Sequence, residues 1–183
     1  LLFLQARTQS FALAGAAAAL YVLGLATVAP FLGRLIDRFG PRPVLSVGAV
    51  VYPCMMVALV VLALMEGGHA WVAFAALAAG ASFPPITACM RALYPRLVPD
   101  AGLLQTAYSA DAALVESVFI LGPALVALLV AAGYPHGAVL FAAVCAGAGN
   151  VVFLRSPAVR NWVIQPPAAG RSLLGPLRSL PLL

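Results

Sequence analysis

Charged side chains are scarce in this sequence of 183 residues. Lys, Arg, Asp and Glu together make up 8% of it, against about 25% in soluble domains, and 64% of the residues are hydrophobic. The mean hydropathy is +1.07. This shortage of charge excludes an ordinary soluble domain and predicts a chain that lies in a lipid bilayer.

Cysteine is also rare, and its pattern argues against two kinds of site. Cys54, Cys89 and Cys145 each lie in an apolar run, without a CxxC pair and without a histidine at ligand spacing. Because zinc sites and disulfide frameworks need such spacing, we expect no metal and interpret the thiols as small packing residues. The motif GAGN at 147–150 has no preceding strand and no third glycine, so no dinucleotide cofactor is expected.

Long uncharged runs are abundant. Crossing about 30 Å of hydrocarbon takes roughly 20 apolar residues in a helix. We therefore predict an all-α, polytopic membrane protein in which residues 1–155 form a bundle and 156–183 form a linker and the possible start of a further helix. The predicted membrane helices cover about 11–32, 44–65, 71–90, 103–133 and 137–154.

Two further patterns concern helix packing. The pair Pro84 and Pro85 is expected to kink the third predicted helix, because proline removes backbone hydrogen bonds. Small residues four positions apart allow helix backbones to approach closely in lipid. Such pairs are Gly15 with Ala19, Ala143 with Gly147, and Cys145 with Gly149.

The ten basic residues are all arginine, and their distribution predicts an orientation. If the five helices alternate in direction, only Arg7 falls on one side of the membrane. The other side carries Arg34, Arg38, Arg42, Arg91, Arg96, Arg155, Arg160, Arg171 and Arg178. Short loops rich in arginine stay in the cytoplasm, so we expect the nine to be cytoplasmic. The net charge of +5 is then a topology signal, and no nucleic acid partner is expected.

The stretch GRLIDRFGPR at 33–42 lies between the first two predicted helices and resembles the signature loop of the major facilitator superfamily. The family pattern is G-x-x-x-D-R-x-G-R-[RK]. It is matched here by Gly33, Asp37, Arg38, Gly40 and Arg42. Pro41 stands where the family usually has a basic residue. The resemblance implies that Asp37, Arg38 and Arg42 help to hold a cytoplasmic gate.

The resemblance also implies an architecture and a function. The five helices would be the second to sixth of twelve, LLFL at residues 1–4 would end a first helix, and the chain would be an amino-terminal half lacking most of that helix. The implied function is transport of a small-molecule substrate by alternating access, as secondary active efflux with protons as a candidate coupling ion. The expected partners are the lipid bilayer and the missing carboxy-terminal half. The expected location is the plasma membrane, as a multi-pass protein of a bacterial inner membrane.

Two carboxylates lie inside the fourth predicted helix. A charged carboxylate near the bilayer centre costs roughly 2.5–3.5 kcal/mol, so each needs a partner or a function. Helical spacing places Glu116 on one stripe with Thr106 and Ser109, roughly 20 Å from the cytoplasmic helix end. Glu116 and Ser109 are therefore candidates for substrate or proton contact, and a buried structural hydrogen bond is the alternative for Glu116.

Asp111 lies on a different stripe of the same helix and is a further candidate for substrate or proton contact. It also has a structural alternative, since it lies closer to the cytoplasmic end of the helix and could pair with Arg91 or Arg96.

Two other functions compete with transport. A non-transporting membrane scaffold would need neither Asp37 nor Glu116. An intramembrane enzyme would need a nucleophile and a base in the bundle, but Ser82 lacks the small residue that follows the serine of rhomboid-like proteases, and His69 and His136 fall in short loops. We therefore expect no enzyme, no catalytic residues and no cofactor.

Overall fold

The computed structural model describes residues 3–5, 10–65 and 68–162, and this part of the chain contains helices and no strand. Within these described residues, five segments are long and apolar enough to cross a membrane. The prediction of an all-α, polytopic membrane protein is therefore confirmed. The helices are α1 (Phe11–Phe39), α2 (Pro41–Leu64), α3 (His69–Ala81), α4 (Ile86–Leu97), α5 (Ala101–Ala131), α6 (Pro135–Arg155) and α7 (Pro157–Arg160).

Local sequence sets the helix ends. The Ser10 hydroxyl accepts a hydrogen bond from the Leu13 amide at 3.2 Å, and the Asp100 carboxylate accepts one from the Leu103 amide at 2.8 Å. Side chains of this kind satisfy amides that have no partner inside the first helical turn. They mark the starts of α1 and α5. Pro135 occupies the first position of α6, where its missing N–H costs nothing.

The helices extend beyond the predicted spans at the arginine-bearing ends. We predicted that the first span ends at residue 32, but α1 continues to Phe39, and the third span continues past residue 90 to Leu97. Hydropathy marks only the apolar part of a helix, and these extensions carry polar residues. Residues 3–5 of the LLFL segment are helical, and residues 163–183 of the predicted linker lie outside the described residues.

The third membrane span is interrupted rather than merely kinked. Residues 82–85 separate α3 from α4, and Pro84 and Pro85 have no amide hydrogen with which to continue the helix. The Ser82 hydroxyl donates to the Ala79 carbonyl at 3.0 Å, which satisfies one backbone acceptor at the break. The interruption packs against α2, where a Cβ built on Gly48 would lie 3.0 Å from the Pro84 Cβ.

Buried side chains form two separate cores, one at each end of the bundle. The first joins the start of α1 to the end of α2 and the start of α3, through residues such as Ala17, Val60 and Ala75. The second joins the end of α1 to the start of α2 and to α4, through Ile36, Leu45 and Cys89. Successive helices therefore run in opposite directions, as a polytopic bundle requires.

One end of this bundle, which we call the arginine-rich end, carries all seven arginines of the described residues. Three border the joint between α1 and α2, two lie on α4, and two lie at the end of α6 and on α7. They are Arg34, Arg38, Arg42, Arg91, Arg96, Arg155 and Arg160. Helix α5, by contrast, packs only against α4 and α6 among the described elements with substantial contacts, and Asp111 is its one buried residue.

The closest helix approach was not among the predicted small-residue pairs. A Cβ on Gly24 of α1 would overlap the Leu77 carbonyl oxygen, and one on Gly80 of α3 would overlap the Tyr21 carbonyl oxygen. These two glycines let the backbones of α1 and α3 touch. Among the glycines of the predicted pairs, a Cβ built on Gly147 would lie 3.1 Å from the Pro53 ring. A Cβ built on Gly15 would meet no atom within 4 Å.

Candidate functional site

The stretch that resembles a signature loop is a one-residue joint between two helices. Gly33, Asp37 and Arg38 lie in the last two turns of α1, and Arg42 is the second residue of α2. Gly40 alone connects them, with φ of 82° and its amide donating to the Ile36 carbonyl at 2.8 Å. A positive φ favours glycine, so the joint depends on this residue.

The charged groups around this joint lie at the surface of the described residues. Asp37, Arg38 and Arg42 are exposed, and the Arg38 guanidinium lies 5.3 Å from the centre of the Phe39 ring. Within the part of the chain that the structure describes, Asp37 forms no ion pair. Below the joint, Ile36 packs in the second core. The joint therefore holds one exposed carboxylate and two exposed guanidinium groups on a backbone that is fixed by two helix ends.

Asp111 is held by α4. Its carboxylate accepts a hydrogen bond from the Arg91 Nε at 2.7 Å and one from the Tyr94 hydroxyl at 3.2 Å. The sequence left Arg91 and Arg96 open as partners, and the geometry selects Arg91. Because Asp111 lies roughly 15 Å along α5 from Ala101, this is an ion pair within the membrane-spanning part of the bundle.

Aromatic side chains complete this contact between α4 and α5. The rings of Tyr94 and Tyr108 meet edge to face with centroids 5.3 Å apart, and the Tyr108 hydroxyl donates to the Arg91 carbonyl at 3.4 Å. Neither tyrosine was predicted to take part in this contact. Their signal was spacing: Tyr94 follows Arg91 by three residues and Tyr108 precedes Asp111 by three, so each pair shares a helix face.

Glu116 and Ser109 lie on the part of α5 that the described residues leave uncovered. Both are exposed, and the Ser109 hydroxyl donates to the Gln105 carbonyl one turn earlier at 3.0 Å. Glu116 has no hydrogen-bond or ion-pair partner among the described residues, and it lies roughly 22 Å from the start of a helix of 31 residues. The structure therefore separates Glu116 from the paired Asp111.

A shallow groove of about 440 Å³ runs along the first turns of α5. Its polar lining comes from Gln105, Tyr108 and Ser109. Ser109 thus lies both in this groove and on the stripe that carries Glu116. The groove, the serine and the carboxylate offer hydrogen-bond acceptors and donors to a molecule or a chain segment that approaches α5.

Metal binding and nucleophilic chemistry have no support in the described residues. They contain no group of three His, Cys, Asp or Glu side chains placed to hold a metal ion. Ser82, the residue considered above as a nucleophile, donates its hydroxyl hydrogen to the Ala79 carbonyl at the helix break. His69 begins α3 and His136 lies in the first turn of α6, both at the end opposite the arginine-rich end.

Comparison with known proteins gives one match. A family model described as Major Facilitator Superfamily matches residues 1–182. No curated protein and no solved structure matches the chain. The family match covers nearly all of the sequence, including the joint at Gly40 and the ion pair between α4 and α5.

Proposed function

Because the chain belongs to the major facilitator superfamily, we propose that it forms the amino-terminal half of a transporter that exports a small molecule by alternating access. Family membership makes it a multi-pass membrane protein of the major facilitator transporter type, which agrees with the expectation that it is not an enzyme. Export, alternating access and coupling to protons are the parts that we propose. The proposed location is a bacterial plasma membrane.

The joint at Gly40 carries this proposal. A rocking half needs groups at its edge that bind the opposite half in one state and release it in the other. Asp37, Arg38 and Arg42 fit this requirement, because they are exposed and their backbone is held by the helix ends. We assign Asp37 to the contact with the opposite half and the two arginines to its orientation. By the positive-inside rule, this gate lies on the cytoplasmic side.

The uncovered side of α5 is the proposed substrate path. Glu116 lies near the middle of the helix, where binding sites of such transporters are found, and an unpaired carboxylate there is costly unless water, a proton or a substrate reaches it. We assign to Glu116 a contact with the substrate or with a proton. We assign to Ser109, which lines the groove, a hydrogen bond to the substrate. Asp111 is a weaker candidate for this role, since Arg91 and Tyr94 already occupy its oxygens.

The gate is tested with Asp37→Asn in the full-length protein. The change keeps the side-chain shape and removes the charge, so we expect normal membrane insertion and altered gating. A cysteine introduced at Ser109 reports gating without knowledge of the substrate, once Cys54, Cys89 and Cys145 are replaced. The measurement is labelling by a membrane-impermeant maleimide in right-side-out and inverted vesicles.

Alternating access predicts that the cysteine at Ser109 reacts from both sides, at rates that depend on the population of each state. Asp37→Asn should change the ratio of the two rates severalfold, whereas Asp100→Asn, at the start of α5, should leave it unchanged. Labelling from one side only, or an unchanged ratio in Asp37→Asn, contradicts the gating role. If Glu116→Gln also leaves the cellular phenotype unchanged, a non-transporting scaffold becomes the better explanation.

A further inference from the structure

Charge is distributed unevenly along the membrane-spanning part of the bundle. All seven arginines of the described residues lie towards the arginine-rich end, and His69 and His136 lie at the opposite end. Between the two ends, this part of the chain carries the Arg91–Asp111 pair, whose charges cancel, and Glu116. An unmatched negative charge therefore stands near the middle of α5.

The side chains next to Glu116 on the helix surface are an aromatic ring and two methyl groups. Phe119 follows Glu116 by three residues, so the two side chains are neighbours, and Phe119 is 71% exposed. Ala112 and Ala113 lie one turn before Glu116 and are also exposed. Because these alanines are small, a ligand can reach the carboxylate and the face of the ring together.

The groove at the start of α5 extends this surface towards the arginine-rich end. Its lining includes Gln105, Ser109 and Ala112, which share one helical stripe with Glu116. This stripe is roughly 16 Å long. The residues that line the groove are all uncharged. The stripe therefore offers an elongated, neutral surface with one negative charge at its far end.

Both the carboxylate and the ring select a ligand of positive charge. Charges interact strongly in the low dielectric of a membrane interior, so a cation beside Glu116 offsets the cost of the carboxylate, whereas an anion adds repulsion. The face of an aromatic ring such as Phe119 also attracts a cation, and most strongly when water is excluded. An anionic ligand would find no unpaired positive group between the two ends of the described bundle.

We propose that the substrate is an organic cation, whose positive group binds between the Glu116 carboxylate and the Phe119 ring. This inference rests on the proposed transport function and names the substrate class of the same site. The uncharged body of the molecule lies along the stripe, where Gln105 and Ser109 form hydrogen bonds and Ala112 gives apolar contact.

The test measures binding by equilibrium dialysis of the full-length protein in detergent micelles, with protein-free micelles as the background. The probes are tetraphenylphosphonium and tetraphenylborate, which share a shape and differ in the sign of their charge. We expect wild type to bind tetraphenylphosphonium about tenfold more tightly or better. Glu116→Gln should lower its affinity for tetraphenylphosphonium by about tenfold, whereas Glu116→Asp should keep most of it. Phe119→Leu should lower this affinity about threefold.

The matched control is Asp100→Asn, which removes an exposed carboxylate from the start of the same helix and keeps a side chain that can cap it. Its affinity for tetraphenylphosphonium should equal that of wild type. Circular dichroism and gel filtration establish that each variant is folded, and Phe119→Leu keeps the test informative if Glu116→Gln is not.

Equal affinity of wild type for the two ions, or no binding of tetraphenylphosphonium, would overturn the proposal. So would equal losses in Glu116→Gln and Asp100→Asn, which would indicate unspecific attraction to acidic side chains. The gating measurement with a cysteine at Ser109 uses no substrate. A protein whose cysteine reacts from both sides of the membrane, but which does not prefer the cation, therefore keeps the proposed transport function and loses this substrate class.

Discussion

Removing either member of the Arg91–Asp111 ion pair should destabilise the bundle, but by unequal amounts. The side chain of Asp111 is 9% exposed and that of Arg91 is 50% exposed. Arg91→Met leaves a buried carboxylate whose remaining partner is the Tyr94 hydroxyl at 3.2 Å. Asp111→Asn leaves a guanidinium group that already reaches the surface and can still bond to the amide oxygen.

The magnitudes follow from this difference. An uncompensated carboxylate within a membrane helix costs roughly 2.5–3.5 kcal/mol, and the Tyr94 hydroxyl offsets part of that cost, so we expect a loss of about 2 kcal/mol for Arg91→Met. Asp111→Asn replaces an ion-pair hydrogen bond with one from the guanidinium to a neutral amide oxygen and should lose about 1 kcal/mol. The double variant removes the buried charge as well as its partner and should be more stable than Arg91→Met alone.

Cys89 provides a reporter for this measurement. It is 3% exposed and lies two residues from Arg91, so a thiol-reactive dye labels it only when α4 leaves the bundle. Cys54 and Cys145 are exposed and are first replaced by serine. Losses of this size lower Tm by roughly 2–8 °C, with the larger shift for Arg91→Met. Arg34→Met, which removes an exposed arginine without an ion pair in the described residues, is the control.

The order of stability among the three variants decides whether the buried carboxylate is the costly member of the pair. If Asp111→Asn destabilises the protein as much as Arg91→Met, the carboxylate is not the costly member of the pair. If the double variant is less stable than Arg91→Met, the two residues contribute independently, and the contact between α4 and α5 does not rest on their attraction.

Other parts of the bundle give further predictions. Gly80→Leu should prevent the contact of α1 with α3 and lower the yield of folded protein severalfold in gel filtration, whereas Gly15→Leu, in open space, should not. Asn150→Leu should change Tm by less than about 3 °C, because it removes the bond to the Leu45 carbonyl at 2.9 Å but also a buried oxygen that has no partner among the described residues. Cysteines placed at Arg38 and Arg96 should react with an impermeant maleimide from the same side of the membrane; reaction from opposite sides would refute the proposed topology.

The membrane spans were predictable because an uncharged apolar run is a property of the chain itself. Their ends were not. The last turns of α1 carry Arg34, Asp37 and Arg38, which are polar enough to look like a loop, and the helix continues through them until Gly40. The proline pair at 84–85 coincides with the helix break, whereas single prolines at 30, 53, 95 and 123 lie inside α1, α2, α4 and α5 without ending them.

Contacts between helices were harder to predict, because they depend on how each helix is rotated. The sequence offered Arg91 and Arg96 equally as partners of Asp111, and only the packing of α4 on α5 selects Arg91. Likewise, many small residues have the spacing for close approach, but Gly24 and Gly80 are the ones that face each other's helix backbones. The roles of Glu116, Ser109 and Asp37 stay predictions.

The glycine joint has a mechanical consequence. With one residue between α1 and α2, the two helices share a rigid elbow and cannot slide past each other at this end. The Tyr21 and Tyr52 hydroxyls, 3.3 Å apart, fasten the same two helices further along. A force on the Asp37 carboxylate therefore moves α1 and α2 together. Because α1 touches the backbone of α3 at Gly24, α3 moves with them.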